Sequence, residues 1–453
     1  MRFSELDGAR VGVWGAGREV ASFAAQLARR LPSARIVAAA FDGPPPADAR
    51  ELLRAPGAAL LSAEQALAGL RACEVVVRSP GVSTHRAELR ALREAGVAVT
   101  TATALWLAER GGEGVIGVTG TKGKSTTAAL AAHLARAAGL TVALAGNIGV
   151  PALELLDEEP AQVTVLELSS YQIADLQAGP QVALVTNVFR EHTDWHGSER
   201  AYRADKLRLL ELPGVRVAVL NARDERLAAL DPAVATLRYG QPRGWDATAE
   251  GIALDGELAL ASAELPLRGE HNALNLCGAL TALEALGAPP PSPLARSLAG
   301  FRPLAHRLEP VAERDGVLWV DDSISTTPES AIAALASFPG RELVLIAGGQ
   351  DRGQDYAQLA RALAGAGASV VGVPSTGPRL LAAARAAGVA ADRARAAADL
   401  REAVAIARTL TAGPDASAAR DAVVLLSPAA PSFDRYRDFE ERGERFAALA
   451  VAD

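Results

Sequence analysis

The sequence predicts an α/β protein of three domains. Short apolar segments alternate with helical ones along almost the whole chain, which is typical of sheets covered by helices. Two of the apolar segments run directly into glycine-rich turns that open helices. The chain has 453 residues, whereas a single hydrophobic core stops growing near ~250–300 residues. We therefore expect domains at residues 1–108, 109–302 and 303–453.

The first predicted domain is Rossmann-like. The apolar segment Arg10–Trp14 is predicted to be a strand that enters Gly15-Ala16-Gly17, and a helix is predicted over Glu19–Arg30. Val20 stands where the strict dinucleotide fingerprint requires glycine, so NAD binding is disfavoured. Further strands are predicted at Ile36–Phe41 and Glu74–Arg78.

The central domain begins with a second strand–turn–helix unit. The strand Gly114–Val118 enters the loop Thr119–Ser125, and a helix is predicted over Thr126–Ala138. Short polar–apolar alternation between residues 238 and 268 predicts a small antiparallel flap. Further strands are predicted at Thr141–Ala145, Gln162–Leu168, Val182–Asn187 and Val215–Asn221.

The last domain is again predicted to be Rossmann-like. The chain passes into it near Phe301–Pro303, and helical segments separate its strands. Its strands are predicted at Leu318–Asp321, Glu342–Ala347, Ser369–Val373 and Asp421–Leu426.

Composition and charge exclude several classes of protein. There are 46 Lys and Arg against 53 Asp and Glu, a formal charge of −7 without a basic block, which argues against nucleic acid as a partner. Only two cysteines occur, so no disulfide framework is expected. The long apolar stretch from Thr126 to Gly146 is interrupted by His133 and Arg136, which disfavours a membrane span. We expect a cytoplasmic protein that contacts neither membrane nor nucleic acid.

The loop Thr119–Ser125 has the chemistry of a phosphate site. A glycine-rich turn between a strand and a helix directs backbone N–H groups at an anion. Lys124 would reach the β- and γ-phosphates, and the Ser125 hydroxyl would ligate Mg²⁺. Five residues separate Gly117 from Gly123, one more than in the usual motif, so Gly120 supplies the permissive backbone. These features predict a central domain of the P-loop ATPase type.

The segment Gly117–Thr126 resembles the ATP loop of the Mur ligases and of the related folylpolyglutamate synthetases. Further segments resemble the Mur ligases over nearly the whole chain, least in the first hundred residues. These segments are Gly146–Gly149, Glu167–Gln172, Asn187–Asp194, Tyr202–Leu207, His271–Asn275, Ala305–Arg307, Asp322–Ser323 and Ser427–Gly443.

The resemblance implies an ATP-dependent ligase of peptidoglycan precursor synthesis. The implied reaction adds glutamate to UDP-N-acetylmuramoyl-L-alanine through an acyl phosphate, with ATP as co-substrate and two Mg²⁺ ions. The resemblance implies that the first domain binds the UDP-substrate and that the central domain binds ATP. The last domain would bind the amino acid and close over ATP. A monomer is expected.

The resemblance also implies roles for individual residues. Catalytic roles fall on Lys124, His192 and Lys206. The implied ATP contacts are Gly120, Thr121, Gly123, Lys124, Ser125, Thr126, Asn275, Arg307 and Asp322. The implied UDP-substrate contacts are Gly15, Arg18, Ser79, Gly81, Asn147, Ser169 and Gln172. The implied glutamate contacts are Thr326, Arg352, Ser432 and Phe439.

The implied metal ligands are Ser125, Glu167, His192 and Lys206, the last as a carbamate. Glu167 ends an apolar strand, where a buried carboxylate is costly unless it is paired or bound to a metal. An ordinary lysine on a helix is usually solvated, so the role of Lys206 depends on the resemblance alone.

The amino-acid pocket departs from the common pattern of the family. Ile324 stands where the family usually has a lysine, and Arg352 lies near the position of a glutamate-binding lysine. The run Ile324–Glu329 resembles a subgroup that adds L-glutamate, whose product a partner epimerase then converts. Lys122 replaces a usual asparagine in the ATP loop. D-glutamate remains the alternative substrate.

Two more distant functions remain open. A folylpolyglutamate synthetase would share the central fold but would not need a uridine pocket in about 100 residues before the ATP loop. A non-catalytic nucleotide-binding regulator would be expected to lack the phosphate and metal residues, which are present.

Overall fold

The computed structural model describes residues 1–43, 45, 49–189, 193–267, 269–288, 291, 293–302, 305–351, 353–412 and 421–452. The chain forms two compact units, Met1–Phe301 and Arg302–Asp453. The first unit contains two large sheets and a small one, and the second contains a single large sheet. The division of the first unit near residue 108 stays a prediction. Within the described ranges, every helix is too short or too polar to cross a bilayer.

The first sheet of unit one has five strands in the order β3-β2-β1-β4-β5, all parallel. Its strands are β1 (Arg10–Trp14), β2 (Arg35–Phe41), β3 (Ala59–Ser62), β4 (Val75–Arg78) and β5 (Ala98–Thr100). Its helices are α1 (Arg18–Arg30), α2 (Ala49–Leu52), α3 (Ala63–Leu70), α4 (Ala87–Glu94) and α5 (Ala102–Arg110), with a 3₁₀ helix at Ser4–Leu6. The predicted strands are confirmed. β3 and β5 were not predicted because segments of four and three residues show little periodicity.

The second sheet has six strands in the order β11-β10-β9-β6-β8-β7, and all of them are parallel. Its strands are β6 (Val115–Thr119), β7 (Val142–Gly146), β8 (Val163–Glu167), β9 (Val182–Val185), β10 (Val217–Asn221) and β11 (Ala235–Tyr239). Its helices are α6 (Lys124–Ala137), α7 (Ser170–Ile173), α8 (Thr193–His196), α9 (Glu199–Leu207), α10 (Glu225–Ala228), α11 (Glu270–Leu286) and α12 (Leu294–Leu298). Shorter 3₁₀ helices lie at Ala152–Asp157, Arg208–Glu211 and Ser262–Glu264. The apolar residues of α6 and α11 share one core with β6, β8, β9 and β10.

The predicted flap is an antiparallel sheet of three strands, β12 (Trp245–Ala247), β13 (Gly251–Leu254) and β14 (Glu257–Ala261). Trp245, Ile252 and Leu260 are buried in the core that α6 and α11 share. The flap therefore shares its core with α6 and α11.

Unit two contains a six-stranded sheet in the order β15-β16-β20-β17-β18-β19. Its strands are β15 (Glu309–Arg314), β16 (Val317–Asp321), β17 (Glu342–Ala347), β18 (Ser369–Gly372), β19 (Ala394–Ala396) and β20 (Ala422–Leu426). Its helices are α13 (Pro328–Ala336), α14 (Ala357–Gly365), α15 (Gly377–Ala386), α16 (Leu400–Thr411) and α17 (Phe439–Val451). Among the strands that the structure describes in this unit, only β15 runs antiparallel to its neighbour. Its hairpin turns at Asp315-Gly316, both with positive φ, a strong hairpin signal that the sequence analysis missed.

A buried ion pair joins the first and second sheets of unit one. Arg78, the last residue of β4, is fully buried and its Nε donates to the Asp175 carboxylate, which follows α7. The Arg78 guanidinium also donates to the carbonyls of Tyr171 (2.7 Å) and Val82 (2.8 Å). Burial lowers the pKa of Arg78, and the Asp175 charge opposes that effect.

We expect Asp175→Asn to destabilise unit one by about 3–5 kcal/mol, because it leaves the Arg78 cation buried without its counter-charge. The matched control is Glu113→Gln, which breaks the exposed pair with Arg216 and should change stability by less than about 1 kcal/mol. Urea unfolding followed by tryptophan fluorescence measures both. Equal effects of the two variants would contradict this account.

Candidate functional site

The loop between β6 and α6 passes unusually close to its neighbours. Gly120 has φ +151°, and a Cβ there would lie 1.8 Å from Thr186 Oγ1. Gly123 has φ +82° at the start of α6, and a Cβ there would lie 2.3 Å from Asn275 Oδ1. Only glycine fits both positions, because any side chain would displace the backbone.

The end of β9 fastens this loop through hydrogen bonds. The backbone N–H of Thr121 donates to the Asn187 carbonyl (2.9 Å), and that of Lys122 to Asn187 Oδ1 (2.8 Å). Thr186 Oγ1 donates to the Lys122 carbonyl at 2.6 Å. The loop is therefore held on the carboxyl edge of the sheet, where ligands bind in open α/β folds.

The loop has the geometry of an anion site. Lys124 is the first residue of α6, and its Nζ donates to the Thr121 carbonyl at 2.9 Å. Ser125 and Thr126 are buried in the first turn of this 14-residue helix, whose N-terminus carries a partial positive charge. A phosphate at this point would meet backbone N–H groups and an ammonium group together.

A carboxylate lies at the end of the neighbouring strand β8. Glu167 is 1 % exposed, and its Oε1 accepts from Asn147 Nδ2 at 3.2 Å. Its Oε2 is buried without a hydrogen-bond partner among the described residues. An orphaned buried carboxylate oxygen is costly, and it is the hard oxygen ligand that Mg²⁺ prefers. Glu167 therefore fits the metal role that the resemblance implies.

Helix α9 brings a lysine to the same loop. Lys206 is 2 % exposed, and its Nζ donates to the Gly120 carbonyl at 2.8 Å. Tyr202, one turn earlier, places its hydroxyl 2.7 Å from Thr121 Oγ1. Lysine is almost never buried unless its ammonium group is paired, so the solvated role expected of an ordinary helical lysine does not apply.

The first sheet contributes its own glycine turn. A Cβ at Gly15 would lie 2.8 Å from Ser79 Cβ, so the two turns expected to bind the UDP-substrate are neighbours. Arg18 donates to the carbonyls of Gly146 (3.0 Å), Asn147 (3.0 Å) and Gly149 (3.2 Å). Its guanidinium ties α1 to the loop after β7.

Gln172 is held at both ends of its side-chain amide. Its Oε1 accepts from the Ser169 backbone N–H (2.8 Å) and hydroxyl (2.9 Å). Ser169 is the N-cap of α7, so these bonds are part of a capping box. Its Nε2 donates to Glu19 and to Thr103. Burial raises the pKa of Glu19, and the hydrogen bonds from Thr103 and Gln172 oppose that rise.

A cluster missed by the sequence analysis connects α9 to the first sheet. Both His196 Nδ1 and His85 Nε2 lie 2.6 Å from Asp205 Oδ2, and His196 Nε2 lies 3.0 Å from Ser170 Oγ. Burial raises the pKa of Asp205, but the hydrogen bonds from the two histidines hold it below its usual range. The cluster fixes the helix that carries Lys206.

Trp195 strengthens the same connection. Its Nε1 donates to the carbonyls of Pro80 (3.2 Å) and Gly81 (3.1 Å), and its own carbonyl accepts from Ser83 Oγ (2.7 Å). Its ring stacks on Tyr171 with centroids 4.4 Å apart. The turn after β4 and the segment before α9 therefore form one connected structure.

Unit two gathers polar residues at the carboxyl ends of β16 and β20. Asp322 is buried, and its Oδ2 accepts from Ser427 Oγ at 2.6 Å. Burial raises the pKa of Asp322 to about 6, and hydrogen bonds from Ser325 and Ser427 and the charge of Arg307 limit the rise. Arg307 lies two residues before β15 in the same unit.

The glutamate positions expected in unit two border the same edge. Phe439 begins α17, and its carbonyl accepts from Ser323 Oγ at 2.8 Å. Ser432 is buried in the loop that follows β20. Thr326 lies in the loop before α13 and is partly exposed.

Family models match two stretches of the chain. The Mur ligase middle domain matches residues 118–283, and the Mur ligase glutamate ligase domain matches residues 306–430. UDP-N-acetylmuramoyl-L-alanine–L-glutamate ligases match the whole chain and 97–98 % of their own length. They are 42 % identical in Xanthomonas axonopodis pv. citri, 43 % in a Micromonospora species and 44 % in Xylella fastidiosa Temecula1.

The chain belongs to the Mur ligase family.

Solved structures support the fold of this Mur ligase. The MurF ligase of Thermotoga maritima in complex with ADP is 18 % identical, with a TM-score of 0.57 over 99 % of this chain and 96 % of its own. The folylpolyglutamate synthase of Mycobacterium tuberculosis, complexed with ADP and AMPPCP, is 19 % identical, with a TM-score of 0.55 over 75 % of this chain and 92 % of its own. At these identities the likeness concerns the fold alone.

The expected residues of the ligase fall into two groups. One group lies in unit one, around the loop Thr119–Ser125 and the adjoining sheet edges, and the other in unit two, around Asp322. His192 and Arg352 lie outside the described residues. The chain has only three lysines, Lys122, Lys124 and Lys206, and all lie in the loop or contact it. The scarcity of lysine is itself a sequence signal that singles out Lys206.

We expect Gly120→Ala to abolish binding of a non-hydrolysable ATP analogue, because the new methyl group would overlap Thr186 Oγ1. Gly139→Ala is the matched control, since Gly139 also has positive φ but a Cβ there meets nothing within 4 Å. Titration calorimetry measures the affinities. Normal binding by Gly120→Ala, with circular dichroism unchanged, would exclude this loop as the nucleotide site.

Proposed function

We propose that this Mur ligase joins L-glutamate to UDP-N-acetylmuramoyl-L-alanine in peptidoglycan precursor synthesis, with cleavage of ATP to ADP and phosphate. The observation that carries the proposal is the convergence of an anion-binding loop, an orphaned buried carboxylate and a buried lysine at one sheet edge. Relatives that match the whole chain at 42–44 % identity bear the name of this activity.

The proposed chemistry has two steps. An oxygen of the substrate carboxylate attacks the γ-phosphorus of ATP, the bond to ADP breaks, and an acyl phosphate forms. The amine of glutamate then attacks the acyl carbon, phosphate leaves, and the amine releases its proton. Lys124 and the amides of the loop neutralise charge that develops on the phosphoryl group.

Two Mg²⁺ ions fit the proposed centre. Ser125, Glu167, His192 and a carbamate on Lys206 would hold them. When bound, these ions would compensate the negative charge of the phosphate groups. The orphaned Oε2 of Glu167 supports this assignment, because its position suits a cation.

Carbamylation of Lys206 is proposed from the resemblance, and the burial of this side chain against the Gly120 carbonyl supports it. A neutral amine can react with CO₂, which replaces a cation by an anionic oxygen ligand. Arginine could not do so, and lysine is scarce in a chain that otherwise uses arginine for its cations.

We expect the full chain to show a carbamate signal in ¹³C NMR after equilibration with [¹³C]bicarbonate. Lys206→Arg should remove the signal, whereas the control variant Lys122→Arg, at a half-buried position in the loop Thr119–Ser125, should keep it. The three lysines make the assignment direct. A signal that persists in Lys206→Arg would refute carbamylation at this residue without touching the ligase assignment.

The substrate-binding roles of individual residues are proposed from the resemblance to the Mur ligases. Gly15, Arg18, Ser79, Gly81, Asn147, Ser169 and Gln172 would bind the UDP-substrate. Asn275, Arg307 and Asp322 would contact ATP, and Thr326, Arg352, Ser432 and Phe439 would bind glutamate. Closure of unit two on unit one would exclude water from the acyl phosphate. We also propose that the protein is a cytoplasmic monomer. An epimerase would act on its product.

We expect phosphate release with UDP-N-acetylmuramoyl-L-alanine, ATP and Mg²⁺ to require glutamate and to favour the L-enantiomer at least tenfold. A tenfold preference corresponds to about 1.4 kcal/mol of transition-state binding free energy. The loss of one hydrogen bond to a carboxylate of the wrong enantiomer is enough to cost this amount. Preference for D-glutamate would show that the enzyme uses the alternative substrate. Turnover with folates, or none with either substrate class, would favour a folylpolyglutamate synthetase or a nucleotide-binding regulator.

A further inference from the structure

Two histidines and an aspartate from three segments of unit one converge on a single point. His85 lies between β4 and α4, His196 ends α8, and Asp205 belongs to α9. Both His85 Nε2 and His196 Nδ1 lie 2.6 Å from the same atom, Asp205 Oδ2. N–H···O hydrogen bonds usually span about 2.7–3.2 Å, so both contacts are short. Three atoms that can each ligate a metal ion therefore occupy one small volume.

The second ring nitrogen of His196 contacts a serine. His196 Nε2 lies 3.0 Å from Ser170 Oγ, so Ser170, His196 and Asp205 follow one another as in a serine-hydrolase triad. Ser170 is only 2 % exposed, which keeps a substrate carbonyl away from its hydroxyl and disfavours hydrolysis. The contact suits a metal site better, because a metal-bound imidazole normally donates its other N–H to a fixed acceptor. Ser170 would be that acceptor for an ion at His196 Nδ1.

The donor set is that of a transition-metal ion. Imidazole nitrogen suits Zn²⁺ and its neighbours in the series, whereas Mg²⁺ prefers oxygen ligands. Two histidines and one carboxylate make up a three-ligand zinc set, in which water takes the fourth position. The His85 side chain is 42 % exposed and that of Asp205 is 15 % exposed, whereas that of His196 is fully buried. An ion and its water would therefore enter from the His85 side.

Aromatic rings hold His196 on its remaining sides. Its ring centroid lies 4.4 Å from that of Trp195, 5.2 Å from that of Tyr202 and 5.6 Å from that of Tyr171. Such a shell fixes the orientation of the imidazole and excludes solvent from it, which are the two services that the surroundings of a metal ligand provide.

We propose that His85 Nε2, His196 Nδ1 and Asp205 Oδ2 bind one Zn²⁺-class ion, which clamps the segment after β4 to α9. Neighbouring ligand atoms of a tetrahedral zinc site lie about 3.3 Å apart, so each contact must open by about 0.7 Å. The exposed ring of His85 and the partly exposed Asp205 can make that movement. The site shares no ligand with the proposed Mg²⁺ centre, and its existence does not depend on the proposed ligase reaction.

The test is a Zn²⁺ titration of the full chain with ¹⁵N-labelled histidine, followed by NMR. Saturating Mg²⁺ is present throughout, so that it competes for oxygen-rich sites. The chain has six histidines, and His85→Gln and His196→Gln identify the two resonances of interest. One equivalent of Zn²⁺ should shift the ring nitrogens of both residues together. His133, whose Nε2 lies 2.8 Å from the Ser297 carbonyl, is the internal control and should not respond.

Titration calorimetry on variants separates binding from folding. His85→Gln changes an exposed side chain and should weaken Zn²⁺ binding at least about 100-fold, because a direct ligand matters more than a second-shell partner, whose loss costs about 10–100-fold. Ser170→Ala should weaken binding about tenfold. His133→Gln is the control and should leave the affinity unchanged. Unmoved resonances of His85 and His196, or an unchanged affinity of His85→Gln, would overturn the site, since Zn²⁺ would then bind elsewhere or not at all.

Discussion

The close approach of Gly120 to Thr186 is the constraint on which the proposed ligase centre depends. It brings the loop backbone against the end of β9, where Thr186 and Asn187 hydrogen-bond to it. It also places the Gly120 carbonyl where Lys206 can donate to it. A side chain at this one position would separate the loop from β9 and from α9 together.

The position of Lys206 depends in turn on contacts far from it in the chain. Asp205 accepts from His196 and from His85, which belongs to the turn after β4, and Trp195 donates to the carbonyls of that same turn. The first sheet therefore supports the helix that carries a proposed metal ligand. If the UDP-substrate binds at Ser79 and Gly81, substrate site and metal site share one rigid support.

Buried charged side chains differ in how fully their partners satisfy them. Arg78 and Asp175 neutralise each other between the two sheets of unit one, whereas Glu167 leaves one oxygen without a partner among the described residues. The contrast is informative, because a protein of marginal stability tolerates an uncompensated buried group chiefly where a ligand completes it.

The sequence by itself determined the α/β class, the anion-binding loop and most parallel strands, because apolar periodicity and glycine-rich turns are local properties of the chain. It did not reveal β3, β5, β11, β15 and β19, whose short or exposed segments are strands only because a neighbour pairs with them. Nor did it reveal the contact of His85 with Asp205. Hydrogen bonds between residues about 120 positions apart, and the space between packed elements, exist only after the chain has folded, so tertiary structure alone decided them.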